Sequence, residues 1–241
     1  MRKMFRLGGI VLVLVGLLAA CGGPQQTTTT AEQPEGSADV TWVRFVNAIP
    51  DGDAVDGLVG DMVVATGVGY QQWGEWVEAP AGEQDVAMRL GEAIELSDTY
   101  TFEPNRRYWI FAYGMMNPVG AELPASFAIA PEETIEATAD DTWMRFVNLA
   151  ADGENYGLVI TTGGSWTLLF PNQAQGTISE YKLGPIYENG FDVIPARDTS
   201  LPAVLSFDRN IQVGLIYNFV ITGRANNSSL EVIEIAETAV R

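Results

Sequence analysis

The sequence predicts an all-β protein made of two tandem immunoglobulin-like β-sandwich domains, preceded by an export signal and a flexible tether. Three observations lead to this prediction. One segment recurs about 100 residues further on, short β-branched and aromatic runs are interrupted by Gly, Pro, Asp and Asn about every ten residues, and no window has a sustained helical period flanked by caps. Repeats of roughly 95 residues with this pattern are typical of β-sandwiches.

The first 20 residues are predicted to be a signal peptide. Three basic residues precede an apolar run at 10–18, which is followed by small residues. The run is shorter than the roughly 20 residues that a membrane-spanning helix requires, and no positive charge follows it to stop transfer. We therefore expect residues 1–20 to be removed during export.

Cys21, the single cysteine of the chain, ends the segment Leu18-Ala19-Ala20-Cys21. This segment resembles the bacterial lipobox, which implies that a diacylglyceryl group alkylates the sulfur and that cleavage occurs just before the cysteine. The alternative is an ordinary signal peptide that happens to contain a cysteine. Because two or three acyl chains hold a protein permanently on a bilayer, we expect Cys21 to anchor the protein in the cell envelope. Gly22, which is not an Asp, favours the outer membrane if the source has one.

Residues 21–39 are predicted to be a flexible, lipid-anchored tether. From Gly22 to Asp39 no aliphatic or aromatic side chain is larger than Ala, and Gly, Pro, Gln, Thr and Glu dominate. Such a composition offers too little apolar surface to form a core. The tether is therefore expected to separate the lipid on Cys21 from the folded domains.

The acidic composition excludes several kinds of partner. Residues 1–20 contain three of the 13 Lys and Arg and none of the 31 Asp and Glu, so the remaining chain has a formal charge of −21. This charge repels phosphate backbones and anionic lipid head groups, which argues against nucleic-acid binding and against a basic membrane-docking patch. The expected membrane contact is the covalent lipid on Cys21.

An internal repeat defines the two domains. Residues 42–47, WVRFVN, recur at 143–148 as WMRFVN, and each copy is followed by an Asp-Gly turn. Near the end of each copy, residues 108–114 align with 217–223. The joining segment is acidic and has little to bury. The predicted repeats are residues 40–131 and 141–236.

Turn residues divide the first repeat into short strands. Pro80-Ala81-Gly82 and Glu103-Pro104-Asn105 have the residue types of tight turns. The strand at 107–113 is apolar on both alternating faces, which is typical of a central strand covered on both sides. In the second repeat Gly163-Gly164 is predicted to be a hairpin turn. The predicted strands of the first repeat are 41–47, 55–65, 74–79, 84–90, 96–102, 107–113 and 125–130.

These segments resemble a bacterial family, the domain of unknown function numbered 4397 (DUF4397), which occurs in exported proteins and often in tandem. The first repeat has an opening strand and Pro-Asp turn like the family's at 43–51, then Val55-Asp56, a Pro-Ala-Gly turn at 80–82 and a closing strand at 108–114. The second repeat keeps the opening and closing strands, lacks the Pro-Ala-Gly turn, and has Asn155-Tyr156 in place of Val-Asp. The resemblance implies a β-sandwich fold and an exported location, and it implies no activity.

The residue inventory argues against an enzyme. The chain has no histidine, which excludes Ser-His-Asp and Cys-His arrangements and every His-containing metal site. A Ser-Lys pair would need Ser179 and Lys182, which are three residues apart on a predicted strand and therefore on opposite faces. Phosphate-binding glycine motifs are absent too, so no cofactor is expected. A pair of carboxylates stays open as a route to glycan hydrolysis, because its geometry is tertiary.

Asp51, Asp53 and Asp56 form the densest polar cluster of the sequence. Their oxygen atoms would suit Ca²⁺, although the spacing departs from the EF-hand pattern. The simpler interpretation is a turn in which Asp51 caps its own backbone. We therefore predict no metal and keep calcium as the weaker alternative.

Trp73 and Trp166 are the predicted ligand-binding residues. Both lie close to glycine and loop residues, where an exposed ring can stack on a sugar or anchor a partner protein. Arg44 and Arg145, which occupy equivalent places in the repeated segment, are instead expected to bond a carboxylate or turn carbonyls within their own domain. The tryptophans expected in the core are Trp42, Trp76, Trp109 and Trp143.

These patterns together predict a lipid-anchored cell-envelope protein that acts as a non-catalytic adhesion or binding module for a protein or glycan ligand. One alternative is a structural spacer or envelope-assembly component with no discrete ligand. A carboxylate-based glycan hydrolase is the third candidate. A binding module is expected to present exposed aromatic residues grouped on one face.

Overall fold

The computed structural model describes residues 39–135, 138–224 and 229–238. Over these ranges the chain is all β, and none of it forms a helix that is long and apolar enough to cross a bilayer. The predicted signal peptide, Cys21 and the tether up to residue 38 lie outside the described residues.

The first repeat contains nine strands within the described residues. They are β1 (Val40–Ala48), β2 (Val55–Val59), β3 (Met62–Val68), β4 (Gln72–Trp73), β5 (Val77–Pro80), β6 (Gly82–Leu90), β7 (Ala93–Phe102), β8 (Arg107–Tyr113) and β9 (Ser126–Pro131). The outer sheet has the order β3-β2-β6-β7. The inner sheet has the order β4-β1-β8-β9, and β5 pairs with β1 alongside β4.

The second repeat has the same number of described strands in the same arrangement. They are β10 (Trp143–Asn148), β11 (Tyr156–Thr162), β12 (Ser165–Gln173), β13 (Thr177–Ile178), β14 (Lys182–Leu183), β15 (Tyr187–Pro195), β16 (Leu205–Ile211), β17 (Leu215–Arg224) and β18 (Ser229–Thr238). The outer sheet has the order β12-β11-β15-β16, and the inner sheet has the order β13-β10-β17-β18 with β14 on β10. Each strand of the second repeat thus has one equivalent in the first.

The paired sheets confirm the predicted all-β fold with two sandwich domains. In both inner sheets the first strand of the repeat runs parallel to its eighth strand, β1 beside β8 and β10 beside β17. Immunoglobulin sheets are antiparallel in their main body, so these central parallel pairs distinguish the strand order from that of an immunoglobulin domain.

Several strand boundaries differ from the predictions. The predicted strand at 55–65 is a hairpin, β2 and β3, because Gly60 adopts a positive φ of 56° and turns the chain. The predicted strand at 74–79 begins only at Val77, and Trp76 precedes it. The Gly163-Gly164 turn is confirmed, with φ values of 58° and 83° between β11 and β12.

Each repeat has its own apolar core between its two sheets. In the first repeat Phe45 and Ile110 of the inner sheet belong to one buried cluster with Met88 of the outer sheet. In the second repeat the corresponding cluster joins Phe146 of the inner sheet to Phe191 of the outer sheet. Alternate residues of the repeated WxRFVN segment therefore face the core of their own sandwich.

The other faces of the two inner sheets pack against each other. Val46 and Phe111 of the first repeat form a third buried cluster with Val147 and Val220 of the second. Both repeats accordingly fall within one compact unit. The prediction that 107–113 is covered on both faces is confirmed, because the residues of β8 beyond Arg107 are all buried.

Two equivalent arginines cross this inter-repeat interface in opposite directions. Arg44 of β1 pairs with Glu237 of β18, and Arg145 of β10 pairs with Glu132, which follows β9, at 3.0 Å. Glu132 and Glu237 are equivalent, since each directly follows the residue that pairs with the equivalent tyrosine of β8 or β17. Such reciprocity is the signature of an isologous, two-fold contact.

The Arg145 pair is part of a buried polar network. The indole N–H of Trp109 donates to the Glu132 carboxylate, and the Tyr181 hydroxyl donates to it at 3.0 Å. The Arg145 guanidinium also donates to the side-chain oxygen of Asn218. The expectation of a carboxylate partner for each arginine is confirmed, but the main partner lies in the other repeat rather than in the same domain.

The asparagine that ends the repeated segment fixes the following turn. The Asn47 side chain donates to the Val68 carbonyl at 3.0 Å and accepts from the Ile49 N–H at 3.0 Å. Asn148 donates to the Gln173 carbonyl at 3.0 Å and accepts from a backbone N–H two residues later at 3.2 Å. Since both asparagines are buried, the repetition of this residue has a structural cause.

Candidate functional site

The best candidate site is an open groove along one side of the first repeat, which we call the lateral groove. It lies between β3, the last strand of the outer sheet, and the β4–β5 edge of the inner sheet. Its volume is about 340 Å³. The lining residues are 63–68, 72–75 and Val77.

The wall formed by β3 presents an edge strand to solvent. Met62 and Val63 are each 39% exposed, while Val64 and Ala65 are buried beneath them. An edge strand has backbone N–H and C=O groups without a neighbouring strand on one side. The Val64 carbonyl oxygen lies close to the inner-sheet rim, 3.9 Å from the place that a Cβ on Gly74 would take.

The rim opposite β3 carries an aromatic ring and a carboxylate. Trp73 is 41% exposed and pairs in register with Val46, whose side chain faces the second repeat. Because directly opposed residues share a face of a sheet, the Trp73 ring lies on the exposed border of that face, beside the groove. Glu75 lies 3.7 Å from the Arg44 guanidinium, and its side chain is 95% exposed.

A tight turn closes one end of the lateral groove. The Gly69 N–H donates to the side-chain oxygen of Gln72 at 3.2 Å, and the Gln72 N–H donates back to the Gly69 carbonyl at 3.0 Å. Gln71 has a positive φ of 64°, and its N–H donates to the Asn47 carbonyl at 2.9 Å. The rim that carries Trp73 is therefore held by the same asparagine that fixes the end of β1.

The second repeat bridges the equivalent gap with a lysine. Lys182 in β14 is opposite Met144, just as Val77 in β5 is opposite Val43, so Lys182 and Val77 are equivalent. The Lys182 ammonium donates to the Leu169 carbonyl of β12 at 2.7 Å. The corresponding position of the first repeat has no cationic group, and the groove there stays open.

Trp166, the second predicted ligand-binding residue, lies on a hairpin of the second repeat. It is 67% exposed and pairs with Thr161 near the Gly163-Gly164 turn. Trp73 and Trp166 belong to different sheets of different repeats, and the structure does not bring them to one site. Of the tryptophans expected in the core, Trp109 is fully buried. The remaining three, which are half-buried, are Trp42, Trp76 and Trp143.

The three aspartates do not converge. Asp51 accepts hydrogen bonds from the N–H groups of Met116 and Asn117 at 2.8 and 2.9 Å, so it caps the loop after β8 rather than its own turn. Asp56 pairs with Arg89 at 2.9 Å, and this hydrogen bond lowers the pKa of the Asp56 carboxyl. Asp53 is exposed.

Metal ligands are equally scarce elsewhere in the part of the chain that the structure describes. There, no group of three or more Asp, Glu, His or Cys residues is arranged to hold a metal ion. Asp51 and Asp56 instead stabilise the fold, the first through a loop backbone and the second through an arginine. Calcium at Asp51, Asp53 and Asp56 gains no support from these contacts.

Sequence comparison agrees with the resemblance of the first repeat. The model of a family described as "Domain of unknown function (DUF4397)" matches residues 41–156, a range that ends at the first residue of β11. No curated protein matches the chain. Among solved structures, the Bacillus anthracis TIE protein is similar over 77% of this chain at 10% identity, with a TM-score of 0.27. The chain spans about a third of that protein, as the similarity covers 34% of it.

Proposed function

We propose that this chain is an exported, lipid-anchored envelope protein that acts as a non-catalytic binding module, with the lateral groove as its binding site. The observation that carries the proposal is the position of Trp73, an indole that is 41% exposed on the rim of a groove of about 340 Å³. Exposed, rigid aromatic rings beside a concavity are typical anchors for protein or sugar ligands.

The lipobox-like segment and the acidic composition support the location. Cys21 is the one cysteine of the chain, and it directly follows the predicted leader. With a charge of −21 after residue 20, the chain has no electrostatic affinity for anionic lipid, so lipid on Cys21 would supply the attachment. We further propose that the second repeat is a second copy of the family domain, because its strand order matches that of the first.

The alternative of a structural spacer is favoured by a different observation. The inner sheets share a buried apolar cluster and two crossed Arg–Glu pairs, so the two repeats form one body rather than two independently moving domains. A body of this kind would hold a neighbouring component at a fixed distance from the membrane. This role requires no ligand in the lateral groove.

Binding to envelope components tests the proposal. The full chain, lipidated and solubilised in detergent, is applied to a glycan array and to envelope extracts from the source organism. The expected result is a retained ligand that is lost on Trp73→Ala and kept on Trp166→Ala, a matched change of an exposed indole outside the groove. Equal retention by all three proteins, or none by the unmodified chain, would contradict binding at the lateral groove.

A further inference from the structure

We propose that the lateral groove binds a lysine side chain of a partner polypeptide. The inference rests on the proposed function, because it names the ligand of the same groove. The proposal rests on a comparison of the two repeats. In the second repeat Lys182 occupies the gap between the two sheets, and in the first repeat the equivalent residue, Val77, has no ammonium group. The groove is thus built like a site whose natural occupant is an alkylammonium group.

Lys182 shows how the gap accommodates an ammonium group. The Nζ atom donates to the Leu169 carbonyl at 2.7 Å and lies 4.9 Å from the centroid of the Phe170 ring. A strand carbonyl and an aromatic face are both attractive to a cation.

The first repeat has the equivalent strand β3, with neither the lysine nor an aromatic ring on that strand. Val77 stands at the position of Lys182, and it has no cationic group to offer a strand carbonyl of β3. The Val64 carbonyl oxygen borders the gap, 3.9 Å from the place that a Cβ on Gly74 would take. A lysine entering from outside would find there a strand carbonyl and buried apolar side chains, as Lys182 does.

The charge around the groove favours a cation over an anion. Glu75, with a side chain that is 95% exposed, stands on the rim, and Glu78 is exposed on β5. The whole chain carries a formal charge of −18. Such a field raises the local concentration of cationic ligands and repels anionic ones. A neutral glycan would use the Trp73 ring on the rim without needing this charge.

The test uses the full-length, ¹⁵N-labelled protein in detergent micelles and the probe Nα-acetyl-lysine-N-methylamide. Titration is expected to give saturable shifts of the amide resonances of residues 63–68 and 72–77. The ε-acetylated probe, which keeps the stem and lacks the charge, should give none. Glu75→Gln is expected to weaken binding about two- to five-fold, the range of an exposed ion pair.

Two reciprocal variants make the experiment specific. Val77→Lys places a lysine where the second repeat has one, so it should fill the groove and abolish the shifts. Lys182→Val opens the second gap, so new shifts should appear in β12 around Leu169. Thermal melting of both variants confirms that they are folded, and Lys182→Val keeps the proposal testable if Val77→Lys does not fold.

Several results would overturn the inference. Equal binding of the acetylated probe, persistent shifts in folded Val77→Lys, or no shifts with the lysine probe would each show that the groove does not recognise an ammonium group. If a glycan or another ligand is nevertheless lost on Trp73→Ala, the proposed binding function stands and only its lysine specificity fails. If the lysine probe gives no shifts and no ligand responds to Trp73→Ala, both fail together.

Discussion

At the scale of single residues, Arg44 and Arg145 recur in the two repeats because each forms an ion pair across the inter-repeat interface. Arg145 and Glu132 form a largely buried pair, with side chains 1% and 14% exposed. Removal of one partner from such a pair leaves an uncompensated charge, which costs about 3–5 kcal/mol. We expect Arg145→Ala to lower the free energy of unfolding by that amount in urea denaturation followed by tryptophan fluorescence.

An exposed pair of the same chemistry is the matched control for Arg145. Arg197 and Glu154 lie 2.9 Å apart with side chains 65% and 43% exposed. Arg197→Ala should therefore cost less than about 1 kcal/mol. Similar losses for the two variants would mean that burial of the Arg145 network does not contribute to the stability of the folded chain.

Cys21 is the residue on which the proposed location depends. Metabolic labelling with an alkyne fatty acid should mark the wild-type protein, and the label should disappear in Cys21→Ala, which is expected to leave the membrane fraction. The physical reason is that a chain with a charge of −21 after residue 20 has no electrostatic affinity for anionic lipid, so the acyl chains would supply the attachment. Label that persists in Cys21→Ala would contradict the lipid anchor, and Cys21→Ser provides a nearly isosteric control.

At the scale of elements, the end of β17 depends on a glycine that the sequence pattern already aligned with Gly114. Gly223 has a φ of 93°, and a Cβ there would overlap the carbonyl oxygen of Ser229 on β18. Gly223→Ala should therefore separate β17 from β18 locally and lower the free energy of unfolding by more than about 3 kcal/mol.

A variant at the hairpin glycine Gly164 is the control that distinguishes backbone strain from steric overlap. It has a similar φ of 83°, but a Cβ there would meet nothing within 4 Å. Gly164→Ala should cost about 1–2 kcal/mol, the strain of a left-handed backbone alone. Both values are measured by urea denaturation, and an equal loss would indicate that the contact with Ser229 relaxes without cost.

The elements that the sequence predicted well are those with a strong local pattern. β1, β8 and the Gly163-Gly164 hairpin are confirmed because short apolar runs and turn glycines act over a few residues. The predicted strand at 74–79 missed β4 and began three residues before β5, because these strands are only two and four residues long and are set by pairing with β1. Short pieces of this kind have no periodicity to detect.

The candidate site was only partly accessible from the sequence. Turn residues next to Trp73 indicated exposure, which the structure bears out. The sequence did not predict the groove. It is open where Val77 replaces the equivalent Lys182, and this equivalence is visible only when β5 and β14 are placed in register with β1 and β10. Lys182 was nevertheless a visible signal, since it is the one lysine after residue 20.

At the scale of the whole molecule, stability should fall in alkali. Burial raises the pKa of Tyr70, Tyr156 and Tyr181, and the Asp152 carboxylate adds to the effect at Tyr156. The folded chain therefore keeps phenolic protons that the unfolded chain loses above its tyrosine pKa of about 10. This contribution is complete below about pH 10 and decreases by roughly 1.4 kcal/mol per pH unit for each tyrosine above it.

Urea denaturation at a series of pH values between neutral and strongly alkaline measures this slope. Tyr156→Phe removes one of the phenols whose pKa is raised, so it should make the alkaline slope shallower by roughly 1.4 kcal/mol per pH unit. It should also lower the neutral-pH stability through loss of the 2.6 Å bond to Asp152. An unchanged slope in Tyr156→Phe would show that this tyrosine does not contribute to alkaline unfolding.

The bridged second gap also determines the valency of the protein. Within the described residues Lys182 spans the gap of the second repeat, so the two-fold relation between the repeats does not give two identical open grooves. Under the proposed binding function, one molecule would engage one ligand group with the affinity of a single contact. Strong attachment to a surface requires many copies side by side, and a lipid anchor that confines the chains to a plane would provide that density.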